Sequence, residues 1–236
     1  MHRFLLGPGE TLSPGPLRVE GDQAHHAVRV KRLRADEPCE VLDGVGSIAP
    51  ARVASMDPRG RWIELDLDPP RRTPPLIPNL EVCCPPPKGD RLAQLIDTLS
   101  QAGAAVWRPL RCARAAEPPP PNKVTRLERI AGEAAKQCGR AWVMRLEPPI
   151  DFDEALSPQP GVSVILSDIS GEPAGAPGHE PLRLLVGPEG GWTDQELERA
   201  RAGGARITRF GAHTMRIETA ALAASAVLLA GATRDA

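Results

Sequence analysis

The sequence contains no tyrosine, only three phenylalanines and four tryptophans in 236 residues. Recognition by a flat row of aromatic side chains that stack successive unpaired bases is therefore disfavoured. No apolar run approaches the ~20 residues that a membrane-spanning helix needs. The apolar part of Met1–Pro8 is too short for a signal peptide. Neither sign of charge is in excess: 29 Lys and Arg stand against 30 Asp and Glu. That argues against a protein coated in positive charge, but leaves room for a local patch that meets phosphates. The five cysteines, Cys39, Cys83, Cys84, Cys112 and Cys138, are odd in number and lack metal-ligand spacing. His25 and His26 have no third ligand nearby in sequence. The simplest reading is a reduced, cytoplasmic protein with neither disulfide nor metal.

Proline, by contrast, is abundant, at 27 residues, and it marks the organisation of the chain. Pro69, Pro70, Pro74, Pro75 and Pro78 fall within ten residues, a density that neither a helix nor a central strand tolerates. Residues 69–79 are read as a stiff linker. Before it, residues 1–72 carry short apolar runs at Leu17–Val19, Val28–Val30, Cys39–Leu42, Ala51–Val53 and Trp62–Leu67, separated by turn residues. This spacing predicts a small β-rich domain and fits a compact barrel. The segment is balanced in charge overall, yet Arg29, Lys31, Arg32 and Arg34 lie within six residues. A solvated face is one reading of such a run and a phosphate-contact patch is the other.

From Leu80 onward, strand-like runs alternate with helical periodicity. Leu80–Cys84, Ala105–Leu110, Trp142–Leu146, Val162–Leu166, Leu182–Val186 and Ile207–Phe210 are the expected strands. Helices are expected after Arg91, over 124–139, near 152–156, after Thr193 and over 218–229, and Gly171–Pro181 is expected as a loose loop. Alternation of this kind implies a mainly parallel sheet covered on both faces.

The sequence is most distinctive at two joints. Leu182–Val186 runs into Gly187-Pro188-Glu189-Gly190-Gly191-Trp192, and Thr193-Asp194-Gln195-Glu196 then fits a helix-opening capping box. About twenty residues later, Phe210-Gly211-Ala212-His213-Thr214-Met215-Arg216-Ile217-Glu218-Thr219-Ala220 leads from a strand into the last helix. Two strand–loop–helix joints put both loops at the carboxyl edge of one sheet, where open α/β sheets bind ligands. A Lys-Ser/Thr pair after the glycines is lacking, so the first loop is not a Walker loop. An anion nest in an unrelated phosphate-binding enzyme is a competing reading of Gly187–Gly191.

This pair of motifs resembles the 16S ribosomal RNA uridine-N3 methyltransferase family of the SPOUT superfamily. The resemblance extends to His25-His26, Arg29, Leu33-Arg34 and Asp43-Gly44, to Pro87-Lys88-Gly89-Asp90-Arg91, and to Glu133-Ala134 with Gln137 and Arg140. It implies an N-terminal PUA-like RNA-binding β-barrel over 1–72. It implies, over 80–236, an α/β SPOUT methyltransferase domain with a deep trefoil knot. S-adenosylmethionine would lie in loops around Leu166, Val186, Gly187, Glu189, Gly191, Phe210, Gly211 and Met215. Arg216 and Glu218 are the catalytic candidates: Arg216 either steadies the uracil anion, since a cation near the base favours loss of the uridine N3 proton, or grips phosphate, with a structural salt bridge as the competing reading, and Glu218 either orients it or caps the last helix. Arg29, Lys31, Arg32, Arg34, Lys88, Arg91 and Arg140 would contact RNA. The implied partners are small-subunit ribosomal RNA or the small subunit itself, and a second copy of the chain through the small-residue helix at the C-terminal end. The sequence departs from the family pattern at Thr98, Gln101, Ala113, Met144 and His213. These departures leave two alternatives: a non-catalytic RNA-binding protein that keeps the fold, or a methyltransferase with another RNA substrate.

Overall fold

The computed structural model describes residues 1–7, 9–175 and 178–234. Pro8 of the N-terminal run, Ala176 and Pro177 of the expected 171–181 loop, and Asp235 and Ala236 of the C-terminal domain lie outside the described residues. Two units emerge: Met1–Pro74 with Ala135–Val143, and Pro75–Ala134 with Met144–Ala236.

The first unit is built on a six-stranded sheet. Strands β1 (His2–Leu5), β2 (Gly15–Glu20), β3 (Pro38–Leu42), β4 (Ser47–Met56) and β5 (Trp62–Leu67) lie in the order β1-β3-β4-β5-β2, and β6 (Arg71–Arg72) pairs with β4. β1 runs parallel to β3, and the remaining pairs are antiparallel. Alternation along β5 buries Ile63, Leu65 and Leu67, which join Phe4, Val41, Ala49 and Val53 in one core. Val28–Val30, expected as a strand, is instead helical. Helix α1 (Gly21–His25) continues into a π-helical turn at His26–Val30, closed by the Lys31 N–H donating to the His26 carbonyl at 2.9 Å. The reason is spacing: Ala24 and Ala27, three apart, are fully buried, and Leu33 follows them into the core.

The linker prolines do not keep the chain out of sheet structure. Arg71–Arg72 pairs with Ser47–Ile48, and β7 (Leu76–Ile77) pairs antiparallel with β15 (Thr233–Arg234). In both strands the prolines flank the paired residues, so no donor is lost from the ladder.

The second unit is a seven-stranded sheet in which every pairing is parallel. Its strands are β8 (Leu80–Cys84), β9 (Val106–Arg111), β10 (Arg145–Leu146), β11 (Ile150–Asp151), β12 (Ser163–Pro173), β13 (Leu182–Val186) and β14 (Arg206–Arg209). The order is β10-β9-β8-β13-β12-β14, with β11 also on β9. Five helices belong to the connections: α2 (Arg91–Ala102), α3 (Pro121–Cys138, whose last turn falls in the first unit), α4 (Phe152–Leu156), α5 (Asp194–Ala202) and α6 (Ile217–Leu229). Pro121 opens α3 because a first-turn N–H would have no helical partner anyway. Gly103 ends α2 at φ +107°, and a Cβ there would meet Leu76 at 2.8 Å. All five residues of β13 are buried. Its one charge, Arg183, donates to Glu81 at 2.6 Å and to the Ala155 carbonyl at 3.2 Å.

Two further expectations are corrected. The strand expected at Trp142–Leu146 is reduced to Arg145–Leu146. The Trp142 indole N–H donates to the Thr73 carbonyl at 2.8 Å, and its ring lies against Gly46. Gly171–Pro173 is strand rather than loose loop. After Ser167 the chain leaves the ladder and returns, so that Thr208 of β14 is the register partner of both Ser167 and Glu172.

Candidate functional site

The carboxyl ends of β12, β13 and β14 converge on one cleft. Its cavity of ≈ 200 Å³ is an order of magnitude above the ~10–15 Å³ that a single water needs. Ser167, Asp168 and Ile169 line it from β12. Val186–Pro188, Gly191 and Trp192 line it from the glycine loop after β13. Phe210, Gly211, His213–Met215 and Ala220 line it from the loop after β14 and the first turn of α6. β12 lies between the other two strands although β13 and β14 both follow it in sequence. The chain thus changes direction across the sheet here, which is where a parallel sheet opens a crevice.

The walls are held by specific contacts. Trp192 is buried, and its indole N–H donates to the Ser167 carbonyl at 3.0 Å, tying the glycine loop to the end of β12. A Cβ on Gly187 would come within 2.9 Å of that indole, so only glycine fits there. Gly191 has φ +69° and accounts for the turn before α5. Thr193 and Glu196 form the expected capping box. The Glu196 carboxylate also accepts from the Ala113 N–H at 2.9 Å, and Arg114 donates to the Gly190 carbonyl, so the loop after β9 braces the glycine loop from behind. Burial pushes the Glu196 carboxyl up, but the N–H groups of Ala113 and Thr193 and the Thr193 hydroxyl together hold it below its usual value.

Of the residues expected at the cofactor, Val186, Gly187, Gly191, Phe210, Gly211 and Met215 line the cavity. Leu166 is fully buried one residue behind the lining. Glu189 faces outward to Arg91, with Oε1 3.5 Å from Nη2. Arg91 Nη1 is also 3.6 Å from Oε2 of Glu218. Glu218 therefore faces Arg91, and Arg216 makes no ion pair among the described residues. Arg216 caps the start of α6 with extended backbone and is exposed. Lys88 is exposed just before α2. In the first unit Arg29, Lys31, Arg32 and Arg34 are all exposed around the π-helical turn, and Arg140 is half-buried. Sequence reasoning missed Asp168, Ile169, Trp192 and Arg209 as lining residues. Trp192 was readable in principle, as an aromatic next to a glycine turn.

A family model described as an RNA methyltransferase domain matches residues 74–229, and one described as an RNA methyltransferase PUA domain matches 19–65. The chain belongs to the RNA methyltransferase family. Ribosomal RNA small subunit methyltransferase E of Synechocystis is 28% identical over 93% of this chain and 74% of its own. The protein of that name from Mycobacterium tuberculosis is 29% identical over 87% of this chain and 83% of its own. A crystal structure of the Neisseria gonorrhoeae ribosomal RNA small subunit methyltransferase E, bound to S-adenosyl methionine, superimposes with a TM-score of 0.86. It is 27% identical and covers 98% of this chain and 97% of its own. Membership of the family gives the α/β unit a class of chemistry, and the cleft lies at the carboxyl edge of that unit's parallel sheet.

Proposed function

We propose that this chain is an S-adenosylmethionine-dependent methyltransferase that acts on N3 of a uridine in small-subunit ribosomal RNA. The observation that carries this reading is the three-loop cleft at the carboxyl edge of the parallel sheet. Its lining fits an adenosyl group: Val186, Phe210 and Met215 are apolar, and Gly187 and Gly211 line it without a side chain. The cofactor supplies an electrophilic methyl group on a positively charged sulfur. Val186, Gly187, Gly191, Phe210, Gly211 and Met215 would hold it, with Leu166 packed behind.

The chain's own part is to hold the acceptor base and favour its anion. Arg216, exposed at the start of α6 beside the Thr214–Met215 wall and without an ion pair among the described residues, is free to meet a uracil oxygen. A fixed cation there lowers the cost of losing the N3 proton. Positioning of donor and acceptor would supply much of the remaining rate effect.

The finer architecture follows the same reading. A trefoil knot is supported by the way the 168–173 segment lies against β14: a Cβ on Gly171 would sit 2.6 Å from the Ile207 and Thr208 backbone. We take residues 1–72 as a PUA-like barrel, 69–79 as the linker and 80–236 as the SPOUT domain. Arg29, Lys31, Arg32, Arg34, Lys88 and Arg140 would meet RNA phosphates. The chain would pair with a second copy through α6 and act in the cytoplasm.

Calorimetric titration with S-adenosylmethionine tests the site, and absence of binding at millimolar cofactor would end this reading. Methylation of unmodified small subunits, with the product nucleoside identified, tests the substrate. Arg216→Ala should lower turnover by about 10²-fold, the size of one lost electrostatic contact to a developing anion, with cofactor affinity within about twofold of the parent. Unchanged turnover removes Arg216 from the chemistry.

A further inference from the structure

Arg91 was expected at RNA, yet its guanidinium is already engaged by two carboxylates from two different elements. It leaves the first residue of α2 and lies 3.5 Å from Glu189 of the glycine loop and 3.6 Å from Glu218 in the first turn of α6. The glycine loop forms one wall of the cleft, and the segment from Phe210 to Ala220 forms the facing wall. Arg91 lines neither wall. One cation from a third element thus ties the two together.

The two arms differ. The Glu218 side chain is 9% exposed, and its Oε2 has no hydrogen-bond donor among the described residues. Arg91 is its only ion-pair partner among them, and a buried carboxylate without a countercharge is strongly disfavoured. The Glu189 side chain is 45% exposed and can exchange Arg91 for water at little cost. Both separations exceed ordinary hydrogen-bond lengths, so the link is a charge contact rather than a pair of hydrogen bonds.

We propose that Arg91 is a positioning residue that sets the spacing between the two walls of the cofactor cleft, acting through Glu189 and Glu218 rather than through an RNA phosphate. The proposal rests on the cofactor-site reading above. Lysine at this position carries the charge but not the fork that reaches two carboxylates at once.

The test uses the full-length chain and four proteins: the parent, Glu189→Gln, Arg91→Lys and the double variant. Glu189→Gln removes only the exposed arm and leaves the buried pair intact. Titration with S-adenosylmethionine should show about two- to fivefold weaker binding in each single variant, the range that an exposed pair of charges supports. The double variant should bind no more weakly than the weaker single one. Without cofactor, amide exchange over 187–191 should be faster in Glu189→Gln than in the parent, while exchange in the middle of α6 is unmoved. The KM for RNA and its salt dependence should stay at parental values in Glu189→Gln and Arg91→Lys. Parental cofactor affinity and parental exchange in Glu189→Gln would overturn the proposal, as would additive losses in the double variant. So would an Arg91→Lys protein whose RNA affinity and salt slope fall with cofactor affinity unchanged, because that marks a phosphate contact. A parent that binds no S-adenosylmethionine sinks the cofactor-site reading instead, and the exchange measurement then decides the link alone.

Discussion

Glu196 is a carboxylate with 1% exposure, and two of its three hydrogen-bond donors are backbone N–H groups. It accepts from the N–H groups of Ala113 and Thr193 at 2.9 and 2.8 Å and from the Thr193 hydroxyl at 2.9 Å. Because its folded pKa is lowered from 4.5, it stabilises the fold at pH values above the unfolded pKa. That contribution is lost as pH falls through the folded value. Glu196→Gln should cost about 1–3 kcal/mol at neutral pH, the usual loss when buried donors lose a charged acceptor. Urea unfolding should show the gap between parent and variant closing as the pH is lowered below 4.5; a gap independent of pH would mean that the charge contributes nothing. The cysteines give a second check at this scale. Cys39, Cys83 and Cys84 are buried, and burial pushes the thiols of Cys39 and Cys84 up to about 11 and 12. Cys112 is half-buried and is likewise raised, to about 11, while Cys138 is exposed. Thiolate chemistry on the native chain should therefore modify Cys138 first and alone, with all five thiols reacting only in denaturant. Rapid labelling of a second cysteine would show that one of these cores opens.

Elements were legible in the sequence wherever a local signal agreed with the final packing. The fully buried β13, the Thr193–Glu196 box and the glycine stop of α2 are each decided within a few residues, and the structure has them where the sequence places them. The failures share a different cause. Val28–Val30 is β-branched and apolar at its ends, which reads as strand, but burial of Ala24, Ala27 and Leu33 against the sheet decides for a helical turn. The return of 171–173 to β14 is a contact between segments about forty residues apart, and no local pattern encodes it. Gly171 is the one residue that betrays it, because the β14 backbone leaves no room for a side chain. Gly171→Ala should destabilise the second unit by about 1–3 kcal/mol through overpacking. Gly191→Ala, where a Cβ would meet nothing within 4 Å but φ is +69°, should cost about 1–2 kcal/mol through backbone strain. Thermal melts of the two variants check both, and a neutral Gly171→Ala would show that the segment sits away from β14 in solution. At the site the same division holds. The glycine loops were readable as motifs, whereas the turning of Glu189 and Glu218 toward Arg91 depends on the packing of α2 against α6.

At the scale of the molecule, α6 is unusual in having no charge after Glu218. Its inner side buries Ala221, Ala224, Ser225 and Leu228, while Thr219, Ala226 and Val227 are exposed and Leu222 and Ala223 are half-buried. Small and apolar residues on the outer side allow close approach of another helix. If α6 joins two copies, Ala226→Glu with Val227→Glu should convert a species of dimer mass into one of monomer mass in sedimentation equilibrium. A parent that is monomeric at micromolar concentration would refute the pairing. Among the described residues no helix is long and apolar enough to cross a membrane.

The cleft described above draws every lining residue from the stretch between Ser167 and Ala220. During synthesis residues 1–166 therefore emerge without any of the residues that line that chamber. Its walls are translated as one block, and they can close only after the first turn of α6 has left the exit tunnel. A nascent chain thus lacks a complete cleft until Ala220 is free. A ligand in this cleft can protect from proteases only a chain already synthesised past that residue.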